Sequence, residues 1–571
     1  MMDKLFENLS VFATEDRIIR LIAKERGKYA AKNGGSSNPF KSDPLFNQLR
    51  VMTPPHKLWA NPGRGKLPKK ANNGLAHWTG RKKRASIRVY QAIHKSIDAM
   101  PDALWVKNLK IFVLSIQDCL SGNDRLVLET PRILAKFKEQ DLDTGDFIYR
   151  PICKYTDLRT KIILALTYQY ILAKFDKYFH HDMLFMRAPR RVGTNEYQVP
   201  KYLDAIDMVS DYRKKNDGKP IYVGECDIQK FYDIFNHDVI LECFEDMFEE
   251  VKRKDGADNS DFDILRQVIC SYLDSFNYPE HVMGKNGKPD FWKGEILRRM
   301  SEKCPNPVCR FKWVKEDDFV SSGCYTAEEF RTAKEGGKLG IPQGGALSGI
   351  IVNVVMRMID KPIVALKDSE RLFIRYCDDI LLMHTNNQKC QKYLETYCQQ
   401  LIDYKLIPHP RKDVSEFKSG QKTKAGFWHS KSKNVYLWGH GDGNASDWVA
   451  FVGYEMRRTG EIRVRKDKID AEFKRIAREY YKIIYSKDVK SGKELTDDQK
   501  NELMGKMDTL SCHILDYEKA GNNVYTRSQA RRLDKYLYRK SRQAALRIGI
   551  SAAKNVAKNR ATYEQAVKQK A

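Results

Sequence analysis

At 571 residues the chain is too long for one ordinary hydrophobic core, so two to four sub-domains are expected. Its 42% hydrophobic and 11% aromatic content suits a packed globular protein, no run of about 18 apolar residues is present to span a membrane, and charges among the first twenty residues stand where a signal peptide needs its apolar segment, which predicts a cytoplasmic protein. A balance of 101 Lys and Arg against 74 Asp and Glu leaves +27, a field that draws polyanions, nucleic acid first among them.

Residues 1–100 read as a polar, basic extension carrying Gly34-Gly35-Ser36-Ser37, Pro54-Pro55 and the run Arg81-Lys82-Lys83-Arg84. Trp59, His77, Trp78 and Tyr90 stand among those charges, either as stacking surfaces for RNA or single strands or as anchors of a tail. From 101 to 220 the apolar pattern is helical, with 162–172 as a buried helix. Ahead of that helix, Asp143-Thr-Gly-Asp146 signals a turn and 147–152 a strand. Residues 221–226 form a short strand ending on Asp227, and 251–335, charged and punctuated by Gly, Pro and Asn, look inserted. Apolar runs at 371–375 and 380–383 flank Tyr376-Cys-Asp-Asp379, a pattern that predicts a β-hairpin with acids at its tip. After about 466 the chain is helical and basic, and residues 531–571 hold twelve Lys or Arg against two acids. Arg532, Lys535, Arg539 and Arg542 recur at steps of three or four and share one helix face, for gripping a nucleic-acid backbone or for solvation; Leu533 and Leu537 lie on another, for packing. Twelve cysteines include no repeated Cys-x-x-Cys. Cys304, Cys309 and Cys324 lack a fourth ligand at zinc spacing, so reduced, mostly buried thiols are expected.

Phosphoryl transfer to a 3′ hydroxyl uses two divalent cations about 4 Å apart, one at the attacking oxygen and one at the leaving pyrophosphate. Such hard cations take carboxylate oxygens from rigid elements. Asp227 ends one strand and Asp378-Asp379 sit on a hairpin 151 positions later (378 − 227), so adjacent strands would place them on one sheet face. Each piece alone has a plainer reading, a turn residue or a chance tetrapeptide; the ordered set does not.

That set resembles the reverse transcriptase family. Asp227-Ile-Gln-Lys-Phe-Tyr232-Asp-Ile-Phe-Asn-His-Asp238 resembles its first acidic motif, and Gly340-Ile-Pro-Gln-Gly-Gly-Ala-Leu-Ser348 its Pro-Gln-Gly motif. Tyr376-Cys-Asp-Asp379 is similar to the Tyr-x-Asp-Asp box, His409-Pro-Arg-Lys412 to the motif after it, and Phe451-Val-Gly-Tyr454 to the grip on the primer. Upstream, Tyr149-Arg-Pro-Ile-Cys-Lys154 with Asp157 resembles the fingers hairpin, so the likeness runs in order over about 145–465. It implies that Asp227 and Asp378 bind two Mg2+ ions (Mn2+ as the alternative), with Asp379 supporting them. It further implies that Tyr232, beside Phe231, excludes a 2′-hydroxyl, and that Gln343 and Gly344 approach the nascent base pair. Arg150 and Lys154 would clamp the triphosphate, Lys412 would protonate pyrophosphate, and Phe451, Gly453 and Tyr454 would hold the primer.

The fold so implied is α+β and α-rich: a right-hand polymerase with fingers, a palm bearing a small antiparallel sheet, and an α-helical thumb. Its expected layout is a basic extension at 1–100, fingers at 101–220, palm at 221–250 and 336–415, and an insertion at 251–335. The primer grip follows at 416–465 and a basic thumb at 466–571. Partners implied are dNTPs, a non-coding RNA template and the DNA product, with no membrane and with room for a homo-oligomer. Ser348 is followed by Gly349 where retroelement enzymes commonly have Pro, and 113 residues (340 − 227) separate the first two palm motifs. No Asn-Ala-x-x-His or Val-Thr-Gly stretch marks a retron enzyme, and no His-Asn-His nuclease pattern follows the thumb. The resemblance is therefore to bacterial reverse transcriptases assigned to antiphage defence, including abortive-infection relatives, some of which copy a dedicated RNA and others of which work without a template. A retron- or intron-derived enzyme is the alternative within the class, and an RNA-binding scaffold with an inactive polymerase fold the alternative outside it.

Overall fold

A computed structural model describes residues 6–33, 42–59, 74–141, 143–191, 197–300, 307–413, 430–440, 444–485, 494–497, 499–500, 503 and 527–547. The chain divides into two compact units, Met1–Ala60 with Ser86–Ser446 and Asn61–Ala85 with Asp447–Ala571. Gly34-Gly35-Ser36-Ser37, Cys304 and the side chains of His77, Trp78 and 81–84 lie outside the described residues.

In the first unit the opening residues belong to the core. Helix α1 (Glu15–Asn33) follows a short turn of helix, and Leu9, Phe12, Ile18 and Ile22 are at most 5% exposed, in one cluster with Ile163, Phe231, Ile350 and Leu382. Local composition hid this, because the segment's apolar positions are diluted by the charges of its outer face. Trp59 is buried too, its indole N–H donating to Pro54 O at 2.9 Å, and the Tyr90 hydroxyl donates to Asp16. Trp59 is thus an anchor of the core, while Tyr90 stays half-buried with its hydroxyl held by Asp16.

Strands β1 (Arg132–Gln140) and β2 (Phe147–Lys154) form an antiparallel ribbon through the expected turn. On its exposed face Arg132 is opposite Lys154 and Lys136 is opposite Arg150. Helix α2 (Leu158–Phe175) is the buried helix foreseen from its apolar run; the Asp157 carboxylate caps it by accepting the Thr160 N–H at 2.7 Å. Strand β3 (Tyr222–Cys226) leads to Asp227. The segment expected as an insertion supplies helix α3 (Asp263–Asp274), whose Leu265, Val268 and Tyr272 are fully buried. It also supplies strand β4 (Cys309–Phe311), which pairs in parallel with β2. Helix α4 (Ser348–Ala365) is apolar nearly all round and buried accordingly. Strands β5 (Arg371–Tyr376) and β6 (Asp379–His384) make the foreseen hairpin, helix α5 (Asn387–Asp403) follows, and strand β7 (Ser432–Trp438) completes the central sheet.

The sheet order is β7–β3–β6–β5, all antiparallel, with two-residue strands at Ala445–Ser446 and Arg411–Lys412 added to β7. The Arg375 side chain, fully buried under the hairpin, donates to Asp360 Oδ2 of α4 at 2.7 Å and to Cys377 O at 3.1 Å. Helix α4 is thereby tied to the turn that carries the acids.

The second unit holds a three-stranded meander, β8 (Trp448–Phe451), β9 (Tyr454–Arg457) and β10 (Ile462–Val464). Val452 and Gly453 turn the first corner with φ of 44° and 90°, the left-handed pair of a tight hairpin turn. Helices α6 (Lys466–Ile484) and α7 (Arg527–Arg547) pack through Ile476, Tyr480, Leu533 and Leu537. The unit's described part is thus a small sheet and a helix pair, and the described residues of both units are α+β with helix predominating.

The approach to the Pro-Gln-Gly loop depends on Gly340. Its φ is +91°, and a Cβ there would lie 2.7 Å from Tyr278 Cβ and 3.1 Å from Asp233 O. Gly340→Ala should destabilise the protein by about 1–3 kcal/mol, read as a lower urea midpoint at unchanged m-value. A midpoint equal to the parent's would mean that this backbone path is not held as described.

Candidate active site

Strand β3 is central because both its faces are covered: residues 223–226 are buried, and α5 packs along it. Its register with β6 pairs Cys226 with Ile380, and β5 with β6 pairs Tyr376 with Asp379. Continued by one residue, the first register sets Asp227 beside Asp379, next to the two-residue turn of Cys377 and Asp378. Cys377 makes that turn at φ +62°, uncommon for a residue with a side chain. The three acids foreseen from sequence are therefore together at one end of the sheet.

Asp227 is 3% exposed and held on all sides. Its N–H donates to Ser432 Oγ at 2.9 Å and its carbonyl accepts from His409 N–H at 2.9 Å. Of its carboxylate oxygens, Oδ1 accepts the Ile228 N–H at 2.9 Å and Oδ2 accepts from Lys431 Nζ at 2.6 Å. Loss of solvation, then the charge of Asp227, raises the pKa of Asp378. Asp379 is exposed by surface area, yet the surrounding chain strips its carboxyl of solvent, and with the charges of Asp378 and Asp227 pushes it up to about 7. A carboxylate disfavoured in its charged form by neighbouring carboxylates is relieved by a cation between them. Among the described residues no three His, Cys, Asp or Glu side chains converge tightly enough to enclose an ion.

Around this point the other foreseen residues take distinct places. Tyr232 sits on the short helix Phe231–Ile234, its hydroxyl 3.6 Å from Cys377 Sγ, so its ring stands against the acid turn. Phe231 is buried beneath it, with ring centroids 5.5 Å apart. Ile341 N–H donates to Tyr232 O at 2.8 Å, which lays the Pro-Gln-Gly segment alongside. Gln343 O accepts the Cys153 N–H at 2.9 Å, and Gly344 is exposed. Arg150 and Lys154 project from the open face of β2. Lys412 is exposed on the two-residue strand beside β7. A Cβ at Gly349 would lie 2.9 Å from Met186 Cε, the flexible end of that side chain.

In the second unit Phe451 and Tyr454 are paired across their hairpin and are 5% and 6% exposed, with Gly453 in the turn. Arg532, Lys535, Arg539 and Arg542 are all exposed on α7.

Three features were missed from sequence. Lys431, Lys433 and Glu225 join the site through the β7–β3 pairing; Lys433 and Tyr436 both bind the buried Glu225. The alternation Lys-Ser-Lys against Glu-Cys-Asp was a signal, legible only with the pairing known. Asp233 is 8% exposed and burial pushes its carboxyl up to about 7, with Lys230 opposing. A cleft of about 530 Å³ is lined in part by Gln229 and Cys398 and by His409 and Arg411 of the motif after the acid box, and none of the three acids faces it.

Residues 304–454 match the family model described as reverse transcriptase (RNA-dependent DNA polymerase). The match covers the Pro-Gln-Gly loop, the acid hairpin and the Phe451–Tyr454 corner; Asp227 precedes it. A search of the curated proteins finds none that matches. Among solved structures, apo telomerase from Candida tropicalis is 13% identical with TM-score 0.32, over 95% of this chain and 82% of its own. The same telomerase with a TWJ fragment of telomeric RNA is 14% identical with TM-score 0.32, over 98% and 84%. Telomerase from Candida albicans with such a fragment is 10% identical with TM-score 0.30, over 85% and 73%. It is the family match, laid over a hairpin with its acids at the tip, that identifies the chain as carrying a reverse transcriptase domain, of the RNA-directed DNA polymerase class.

Proposed function

We propose that the protein is an RNA-directed DNA polymerase that adds dNTPs to a 3′ end by two-metal phosphoryl transfer at Asp227, Asp378 and Asp379, and that it does so in antiphage defence, on a dedicated non-coding RNA or without a template. The observation that carries the catalytic part is the β3–β6–β5 register, which sets Asp227 against the hairpin tip. The donor set fits Mg2+, or Mn2+ in its place: hard carboxylate oxygens at the end of a strand and at the tip of the neighbouring hairpin. Held by these acids, two such ions would supply positive charge at the attacking oxygen and at the departing pyrophosphate.

The chain's own residues supply the rest. Asp227 and Asp378 hold the ions and Asp379 reinforces their field. Tyr232, its ring against the turn, closes the space that a 2′-hydroxyl would need. Gln343 and Gly344 lie along the nascent pair, while Arg150 and Lys154 offer charge to the triphosphate from β2. Lys412 is the proton donor to pyrophosphate. Phe451, Gly453 and Tyr454 support the primer, and Arg532, Lys535, Arg539 and Arg542 track a phosphate backbone, with affinity that falls as salt rises. The defence role rests on the sequence resemblance alone.

Asp378→Ala with Asp379→Ala should abolish DNA synthesis while the melting temperature and retained RNA stay near the parent's; surviving synthesis would remove these acids from the metal site. Tyr232→Ala should admit ribonucleotides in a primer-extension assay, and unchanged sugar discrimination would return Tyr232 to a packing role. Sequencing the nucleic acid that copurifies from the host, beside the double variant, tests the biological part. One defined RNA with complementary DNA, the DNA lost in the variant, supports templated synthesis; DNA without a complementary RNA supports the untemplated form. A retron-type branched RNA–DNA product would overturn the assignment in favour of that class.

A further inference from the structure

Strand β7 pairs antiparallel with β3 so that Lys433 stands opposite Glu225. Extended by two residues, that register puts Lys431 opposite Asp227. Side chains alternate along a strand, so both acids share one face and both lysines answer them. The inner pair is closed: the Lys433 and Glu225 side chains are 3% and 8% exposed, and Tyr436 Oη donates to Glu225 Oε1 at 2.7 Å. The outer pair follows the same plan but is open on one side. Lys431 Nζ lies 2.6 Å from Asp227 Oδ2, with the Asp227 side chain 5% exposed and that of Lys431 64%. With Ile228 N–H on the other oxygen, the chain itself occupies both oxygens of this acid.

We infer that Lys431 is the built-in counter-ion of Asp227, balancing the acid in the absence of metal and displaced when a divalent cation loads. The inference rests on the proposed metal-binding role of the acids. A carboxylate as buried as Asp227, beside Asp378 and Asp379, is costly without a compensating charge. An ammonium is a compact single charge on a flexible four-carbon stem and satisfies one carboxylate. A divalent ion answers two at once, and the exposure of Lys431 gives the displaced head a way into solvent. In this pairing one oxygen of Asp227 is turned to its lysine. Lys433, buried and bound on the same face, has no such exit, so the exchangeable and the permanent cation differ by burial alone.

The test is Mn2+ binding to the full-length protein without nucleotide, followed by loss of the free-ion signal in electron paramagnetic resonance. Lys431→Met should tighten Mn2+ binding about fivefold, the scale of one partly exposed ion pair. Lys431→Arg, with its two-pronged grip on a carboxylate, should weaken binding below the parent's. Adding Asp227→Asn to Lys431→Met should erase the gain. Equal or weaker binding by Lys431→Met, in protein whose melting temperature matches the parent's, overturns the inference. If parental binding needs Asp378 and Asp379 yet ignores residue 431, only the counter-ion role falls. If no binding depends on those acids, the metal-site reading falls with it.

Discussion

The register of β3 against its two neighbours is the constraint on which the site depends. Side-chain direction alternates along a strand, so a one-residue slip would turn Asp227 toward α5 and bring Cys226 to the acid face. The slip is opposed on both edges. On one side Cys226 faces Ile380 in a five-residue ladder; on the other Lys433 closes on Glu225 inside the protein. Separating a buried pair of that kind leaves each charge uncompensated, a penalty of about 3–5 kcal/mol. The inner pair thus secures the alignment, and the outer acid inherits its position.

Behind the sheet the protein is apolar, and the few polar groups admitted there serve the hairpin. Arg375 reaches Asp360 and the carbonyl of Cys377, while Asn353 of the same helix donates to Phe185 O at 2.8 Å. Since Phe185 and Met186 pack where a side chain at Gly349 would stand, the helix, the 183–187 segment and the turn are mutually fixed. The left-handed Cys377 is therefore held by its surroundings, as a strained turn residue must be.

What sequence could disclose follows from how local each signal is. The acid hairpin was legible because apolar runs flank it within a dozen residues, and α2 because its apolar stretch is continuous. The leucines and arginines of α7 separate cleanly by helical spacing, which places Leu533 and Leu537 inward without further information. The core role of Leu9, Phe12 and Ile18 was not legible, since their partners are remote in the chain and their own neighbours are charged. Nor was the parallel union of β4 with β2, in which Phe147 meets Cys309 across 162 positions (309 − 147). Lys431 and Glu225 belong with these: their meaning comes from pairing across the sheet, and no window along the chain contains both.

The exposed face of the β1–β2 ribbon sets like charge against like, Arg132 across from Lys154 and Lys136 across from Arg150. Opposed cations weaken a two-stranded pairing, and dissolved salt relieves the strain only in proportion to its screening. An unliganded ribbon of this kind is under electrostatic tension, and a polyanion laid along it does more than bind: it removes the repulsion that loosens the strands. Occupancy and rigidity would then rise together in any ribbon charged in this way.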